Sequence, residues 1–167
     1  MYYGNMGAKR IVGLEILEKY RKDALALAEE CGLKDRFEFV CADAGETGFE
    51  SNRFDTIIMN DAMEHVAQPD KVLEEVYRIL KPGGRLYVNF PPYDHPFGAH
   101  LQDVIGIPYV HRFFSEKTQI DAYKQLVADK PDGDERIRFR FSTDATGGEY
   151  MSYIKKMTCK WVHSLKN

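Results

Sequence analysis

The chain has 167 residues, with 23 Lys+Arg against 26 Asp+Glu and a formal net charge of −3. That length fits one ordinary domain with a sizeable core, and 44% hydrophobic with 29% charged residues excludes wholesale disorder. The slight acidic excess argues against a general binder of nucleic acid or of membrane surfaces, and no apolar run approaches the ~20 residues of a membrane span. The opening MYYGNMGAKR carries no hydrophobic signal core. The cysteines, Cys31, Cys41 and Cys159, are odd in number with no CxxC pair, so the sequence indicates neither a disulfide framework nor a zinc site. A reducing cytoplasm is the simplest compartment, and Cys31 and Cys41, at apolar positions, are expected to be inert.

RIVGLE, 10–15, reads as a buried strand with Glu15 at its carboxyl end. Ile16, Leu17, Tyr20, Ala24, Leu27, Ala28 and Cys31 recur at the helical period and predict one buried helix face. Gly32 stands at a natural helix stop. RFEFVC, 36–41, predicts a second strand, 42–53 a loop rich in turn residues, and FDTIIM, 54–59, a third strand. Pro69 suits a first helical turn. Val72, Leu73, Val76, Tyr77 and Leu80 supply the face of that helix, Lys81 sits in its last turn, and Pro82-Gly83-Gly84 makes its stop and turn. RLYVNF, 85–90, is the fourth strand. This alternation predicts an open, mostly parallel sheet with helices on its faces.

Beyond Pro91-Pro92 the texture changes. Residues 93–114 are aromatic and His-rich, and Ser115 caps a helix reaching about Ala128, with Ile120, Tyr123, Lys124 and Val127 on one face. DKPDGDER, 129–136, reads as a charged loop, and RIRFRF, 136–141, as an edge strand or a two-faced extended segment with Arg136, Arg138 and Arg140 on its solvated face. Gly147-Gly148 breaks the chain, and a last helix capped by Thr158 presents Trp161, Val162 and Leu165. Tyr2, Tyr3, Phe113 and Phe114 are expected to pack in a core or cap.

In open α/β sheets ligands sit beyond the carboxyl ends of the strands. Glu15, Asp43 and Asn60-Asp61 all fall there. A carboxylate at such an end accepts two hydrogen bonds from a vicinal diol, and Asp43 is placed to accept from an exocyclic amine. Strand-end acids also serve the next helix N-terminus, but three successive ends favour a ligand.

The blocks VGLEIL, VCADA, FDTIIMNDAMEHV and EEVYRILKPGGRLYVNFPP resemble class I S-adenosylmethionine-dependent methyltransferases. The likeness is strongest over residues 8–92. FSEKT, 114–118, and the 153–165 segment more weakly resemble a substrate cap found in some of these enzymes. The resemblance implies an α/β fold: an incomplete Rossmann-like, mostly parallel sheet with helices on both faces, over 1–92, and an α-rich cap over 93–167. It implies S-adenosylmethionine as cofactor, with Glu15 and the adjoining Ile16 at the ribose, Asp43 and Ala44 at the adenine, and Asn60 and Asp61 flanking the methionine moiety.

The family's first strand and glycine-rich loop precede the ribose acid by about 20 residues, whereas only 14 residues precede Glu15 and they contain no GxGxG run. The sequence is therefore expected to be an internal piece of a methyltransferase, short at both ends. In the family that first strand is central, so its loss is expected to separate the strands at 10–15 and 36–41 from those at 54–59 and 85–90. The exposed ladder groups would then invite a homo-oligomer through the open sheet.

Tyr93, Asp94, His95 and His100 lie where this fold meets its methyl acceptor, and His95 or His100 would act as the acceptor's base. His95 and His100, five residues apart, make a poor metal pair, and His65, after Glu64, reads as a packing or capping residue, with a place in the cofactor or substrate wall as the alternative. His111 and Arg112 belong to surface pairing. The implied reaction is methyl transfer to a small molecule, which needs no metal. The rivals are a non-catalytic, partner-binding module derived from a methyltransferase and a nicotinamide-dependent dehydrogenase. The second would require a glycine fingerprint, and RILKPGGRLYV argues against it.

Overall fold

The structure is a computed structural model that describes residues 2–154 and 156. The helix expected at Thr158 lies outside the described residues. The chain divides into two compact units, one of residues 1–57 and 68–86, the other of 58–67 and 87–167.

The first unit opens with a short helix, α1 (Tyr2–Asn5), and strand β1 (Ile11–Glu15). β1 pairs in parallel with β2 (Phe37–Cys41), and Glu15 stands in register with Cys41. Between them runs α2 (Arg21–Glu30), which starts later than the sequence predicts because a 3-10 turn occupies Glu18–Tyr20. The delay shifts the phase of the apolar stripe. Ala28 is buried, Ala24 and Cys31 are half-buried, and Ile16, Leu17, Tyr20 and Leu27 are exposed. Tyr2 and Tyr3 are exposed as well, not packed. Gly32 closes α2 as expected: its φ is +67°, and Leu33 N–H reaches back to the Ala28 carbonyl at 2.8 Å.

Strand β3 (Phe54–Asn60) pairs with β4 (Leu80–Asn89) in a second two-stranded sheet, separate from β1–β2. Helix α3 (Pro69–Ile79) precedes β4. Pro69 starts it, Asp70 suits its positive end, and Val72, Val76 and Ile79 are buried. Tyr77, assigned to the buried face by sequence, is 85% exposed. Lys81 is not in a last helical turn and 82–84 is not a turn. Pro82 disfavours helical backbone at Lys81, so α3 stops at Ile79 and the chain enters β4 directly. Gly84 permits the close approach of β4 to β3, since a Cβ there would lie 2.8 Å from the Lys81 carbonyl oxygen and 3.2 Å from that of Asp55. Lys81 instead pairs with Asp55 at 2.8 Å.

The second unit buries Ala99, Leu101, Val110, Ile120, Tyr123, Val127, Phe141 and Met151 in one cluster. Among the described residues its α-helices are α4 (Val110–Phe113), α5 (Glu116–Val127) and α6 (Gly133–Arg140). Ser115 caps α5 as predicted, its Oγ accepting from Thr118 N–H at 3.1 Å. The segment read as a charged loop and basic edge strand is α6. Asp134 and Glu135 lie in its first turn and Arg138 and Arg140 in its last, matching the helix dipole. The burial is helical rather than alternating: Arg136, Ile137 and Arg140 are half-buried, Arg138 and Phe139 exposed. Arg136 and Arg140 do not simply face solvent, since both pair with Asp103, at 2.9 and 3.2 Å. Phe113 and Phe114 are exposed, contrary to expectation. Strands β5 (Phe141–Thr143) and β6 (Glu149–Met151) form an antiparallel hairpin. Gly147, at φ +85°, sits in its turn.

One carboxylate holds the long 42–53 segment. Glu75 of α3 accepts from Thr47 N–H at 3.0 Å and from the Thr47 hydroxyl at 2.5 Å, and Arg78 clamps it at 2.7 Å. Hydrogen bonds from Arg78, then from Thr47, hold the Glu75 carboxyl down at about 2, against an ordinary 4.5. Its contribution to stability is complete above pH 4.5 and is lost as pH falls toward about 2. Glu75→Gln is expected to cost about 1–3 kcal/mol at neutral pH. In urea denaturation at a series of pH values, the gap between variant and wild type should close across that acid window.

Candidate functional site

The parallel register of β1 and β2 brings four of the predicted residues to one sheet end. Glu15 closes β1 and its Oε1 accepts from Leu17 N–H at 3.0 Å, which orients the carboxylate. The Glu15 carbonyl accepts from Ala42 N–H at 3.1 Å, so the chain leaving β2 runs beside it. Asp43 follows, exposed, with Oδ1 accepting from Gly45 N–H at 2.7 Å. Ile16 is exposed and Ala44 half-buried at the same end. Cys41 is exposed rather than at an apolar position. Its thiol donates to the Ile16 carbonyl at 3.5 Å, and partial desolvation with the nearby Glu18 carboxylate pushes its pKa up, away from a reactive thiolate.

Asn60 and Asp61 belong to the second unit. Both are exposed at the end of β3, and Asp61, at φ +47°, donates its N–H to the Asn89 carbonyl at 2.7 Å. His95 is exposed in a turn, where its Nδ1 accepts from Phe97 N–H at 3.2 Å. His100 is half-buried, and its Nε2 has no hydrogen-bond partner. Burial and then the neighbouring His65 hold its pKa below the ordinary imidazole value. A neutral imidazole with an available nitrogen is a competent base.

Sequence reasoning missed the neighbours of His100. Glu64 is 2% exposed with both carboxylate oxygens unpartnered, and burial pushes its pKa up. His65 stands 3.7 Å from Glu64 Oε1 and packs edge-on to His100, with ring centroids 5.7 Å apart. Its Nδ1 lies 2.8 Å from the Tyr153 carbonyl oxygen. Spacing along the chain compared His95 with His100 and found no ligand cluster, whereas the fold brings Glu64, His65 and His100 together. The adjacent Glu-His pair was the only local signal. His111 and Arg112 do sit in a surface pairing, Arg112 reaching Asp94 at 3.4 Å.

A parallel β1–β2 pair with carboxylates at its carboxyl end is the place where open α/β folds take their ligands. The methyltransferase-domain family model matches residues 1–88. The chain belongs to that family, the class I S-adenosylmethionine-dependent methyltransferases. It is 34% identical over 124 residues to the ubiquinone/menaquinone biosynthesis C-methyltransferase of Brucella canis, an alignment covering 73% of this chain and 46% of that protein. It is 35% identical over 102 residues to the sterol 24-C-methyltransferase of Pneumocystis carinii, covering 58% of this chain and 27% of the relative. The chain thus spans less than half the length of these curated relatives. A SAM-dependent methyltransferase from Aquifex aeolicus shares the fold, with TM-score 0.51 and 24% identity over 56% of this chain and 50% of that one.

The loop carrying His100 depends on Gly98, where a Cβ would lie 2.0 Å from the Tyr93 carbonyl oxygen. Gly98→Ala must displace backbone. It is expected to destabilise the fold by about 1–3 kcal/mol, measured by thermal denaturation.

Proposed function

We propose that this chain takes part in S-adenosylmethionine-dependent methyl transfer to a small-molecule acceptor. The observation that carries the reading is the β1–β2 register, which sets Glu15 and Asp43 at the same strand end. The Glu15 carboxylate would receive the two ribose hydroxyls, and Asp43 the adenine amine, with Ile16 and Ala44 beside them. Asn60 and Asp61 would flank the methionine moiety, and His95 or His100 would take the acceptor's proton. The sulfonium of the cofactor is already activated toward displacement, so the protein's task is to align the acceptor and exclude water. The curated relatives are named as C-methyltransferases, which makes a carbon acceptor the first to test.

Calorimetric titration with S-adenosylhomocysteine tests the reading. Glu15→Ala is expected to weaken binding by about tenfold or more, the value of one charge-assisted hydrogen bond. Absence of heat from a folded wild type, or equal binding by the variant, would overturn it. NADH fluorescence should not change on mixing.

We also propose a cytoplasmic setting and self-association through the open sheets. Cys31 and Cys41 are free, and among the described residues no helix is long and apolar enough to cross a membrane. β1–β2 and β3–β4 are separate pairs, and Leu14, Ile16 and Leu17 are exposed beside β1. Light scattering is expected to show a mass that rises with concentration, and a constant monomer mass would contradict it.

A further inference from the structure

We propose that Glu64, His65 and His100 form a binding site for a divalent transition-metal ion of the zinc type. One ligand atom from each, a carboxylate oxygen and two imidazole nitrogens, lies within 4.8 Å of the others. Around a tetrahedral ion with bonds of about 2.0–2.1 Å the ligand atoms stand roughly 3.4 Å apart. The Glu64 Oε1 to His65 Nε2 distance is already 3.7 Å. Modest side-chain rotation completes the set.

Burial gives the second argument. Glu64 is 2% exposed, and both of its oxygens and the His100 Nε2 lack hydrogen-bond partners. Unpaired buried polar atoms are costly, and a buried carboxylate is the costliest of them. A cation would satisfy all three atoms at once. The Arg140 guanidinium does not fill that role: it pairs with Asp103 at 3.2 Å, and its buried Nε makes no hydrogen bond to either Glu64 oxygen.

The histidines are also prepared as ligands. His65 Nδ1 lies 2.8 Å from the Tyr153 carbonyl oxygen, so the ring proton belongs on Nδ1 and the lone pair on Nε2, which faces Glu64. Glu64 and His65 share the 3-10 turn Met63–His65, closed by His65 N–H to the Ala62 carbonyl at 3.0 Å. His100 adopts a left-handed φ of +51°, held by its N–H to the Phe97 carbonyl at 2.9 Å. A non-glycine residue held there costs energy that the surroundings must offset, and such strain clusters at functional sites. Two imidazoles and one carboxylate suit zinc, cobalt, nickel or iron rather than magnesium or calcium, which prefer all-oxygen sets. Three side-chain ligands leave a coordination position for water or an acceptor oxygen.

The inference stands independently of cofactor binding, and with the His100 Nε2 on a metal the acceptor's proton falls to His95. The test titrates chelator-treated protein with Co²⁺, followed by its visible d–d absorption, with Zn²⁺ as competitor. One Co²⁺ per chain is expected, displaced by Zn²⁺, with affinity lowered by at least about tenfold in His100→Ala and Glu64→Gln. Glu64→Gln keeps the shape and removes the buried charge, so it should fold, and a Zn²⁺-induced rise in Tm seen in wild type should be absent from it. No Co²⁺ binding, equal affinity in wild type and Glu64→Gln, or an equal Zn²⁺-induced Tm rise in both would overturn the proposal.

Discussion

The Glu75 carboxylate is the constraint on which the first unit's long 42–53 segment depends. The chain leaves β2 at Cys41 and re-enters a strand only at Phe54, and that irregular stretch must satisfy its backbone groups elsewhere. Glu75 takes the Thr47 amide and hydroxyl, and Arg78 donates to the Phe49 carbonyl at 2.7 Å. Asn52 and Arg53 amides then bond to the carbonyls of Arg78 and Ile79. The last turn of α3 thus acts as a template for the loop. Asp43 begins that loop, so its place beside Glu15 is underwritten from its far end as well as by the β1–β2 ladder.

The second unit carries a polar cluster of the opposite character. At the β1–β2 end the acids are accessible and their oxygens are oriented by backbone amides, which suits recognition of a polar ligand. Beside His65, the Glu64 oxygens and the His100 Nε2 are withdrawn from water and left without hydrogen-bond partners, which suits a cation or a proton-transfer group. A methyl transfer needs the first kind of surface for its cofactor. The second kind becomes useful where an acceptor must be oriented or deprotonated.

Much of this was legible in the sequence because it is local. A strand-end acid, a serine before a helix and a glycine after one act through their immediate neighbours, and Glu15, Ser115 and Gly32 stand as read. The phase of α5 also stands, with Ile120, Tyr123 and Val127 buried, but other readings that depended on phase or on distant partners failed. The 3-10 turn at Glu18–Tyr20 threw the α2 stripe off its face. Pro82 acted on the residue before it, so α3 ended early, and within α3 the buried face runs through Val72, Val76 and Ile79 and leaves Tyr77 in solvent. RIRFRF alternates like a strand, yet Asp103, far along the chain, draws Arg136 and Arg140 to one side of a helix. The Glu64–His100 meeting is of the same kind, since nothing in the spacing of a turn and a later loop announces it. The separate β1–β2 and β3–β4 pairs match the expected gap between those strands.

The central claim is that the adenosine end of the cofactor seats at the carboxyl ends of β1 and β2. Amide chemical-shift mapping of the ¹⁵N-labelled chain with S-adenosylhomocysteine tests it most directly. The account predicts the largest shifts at Leu14–Leu17 and Ala42–Gly45. Saturable binding with those amides unmoved and the largest shifts elsewhere would contradict it.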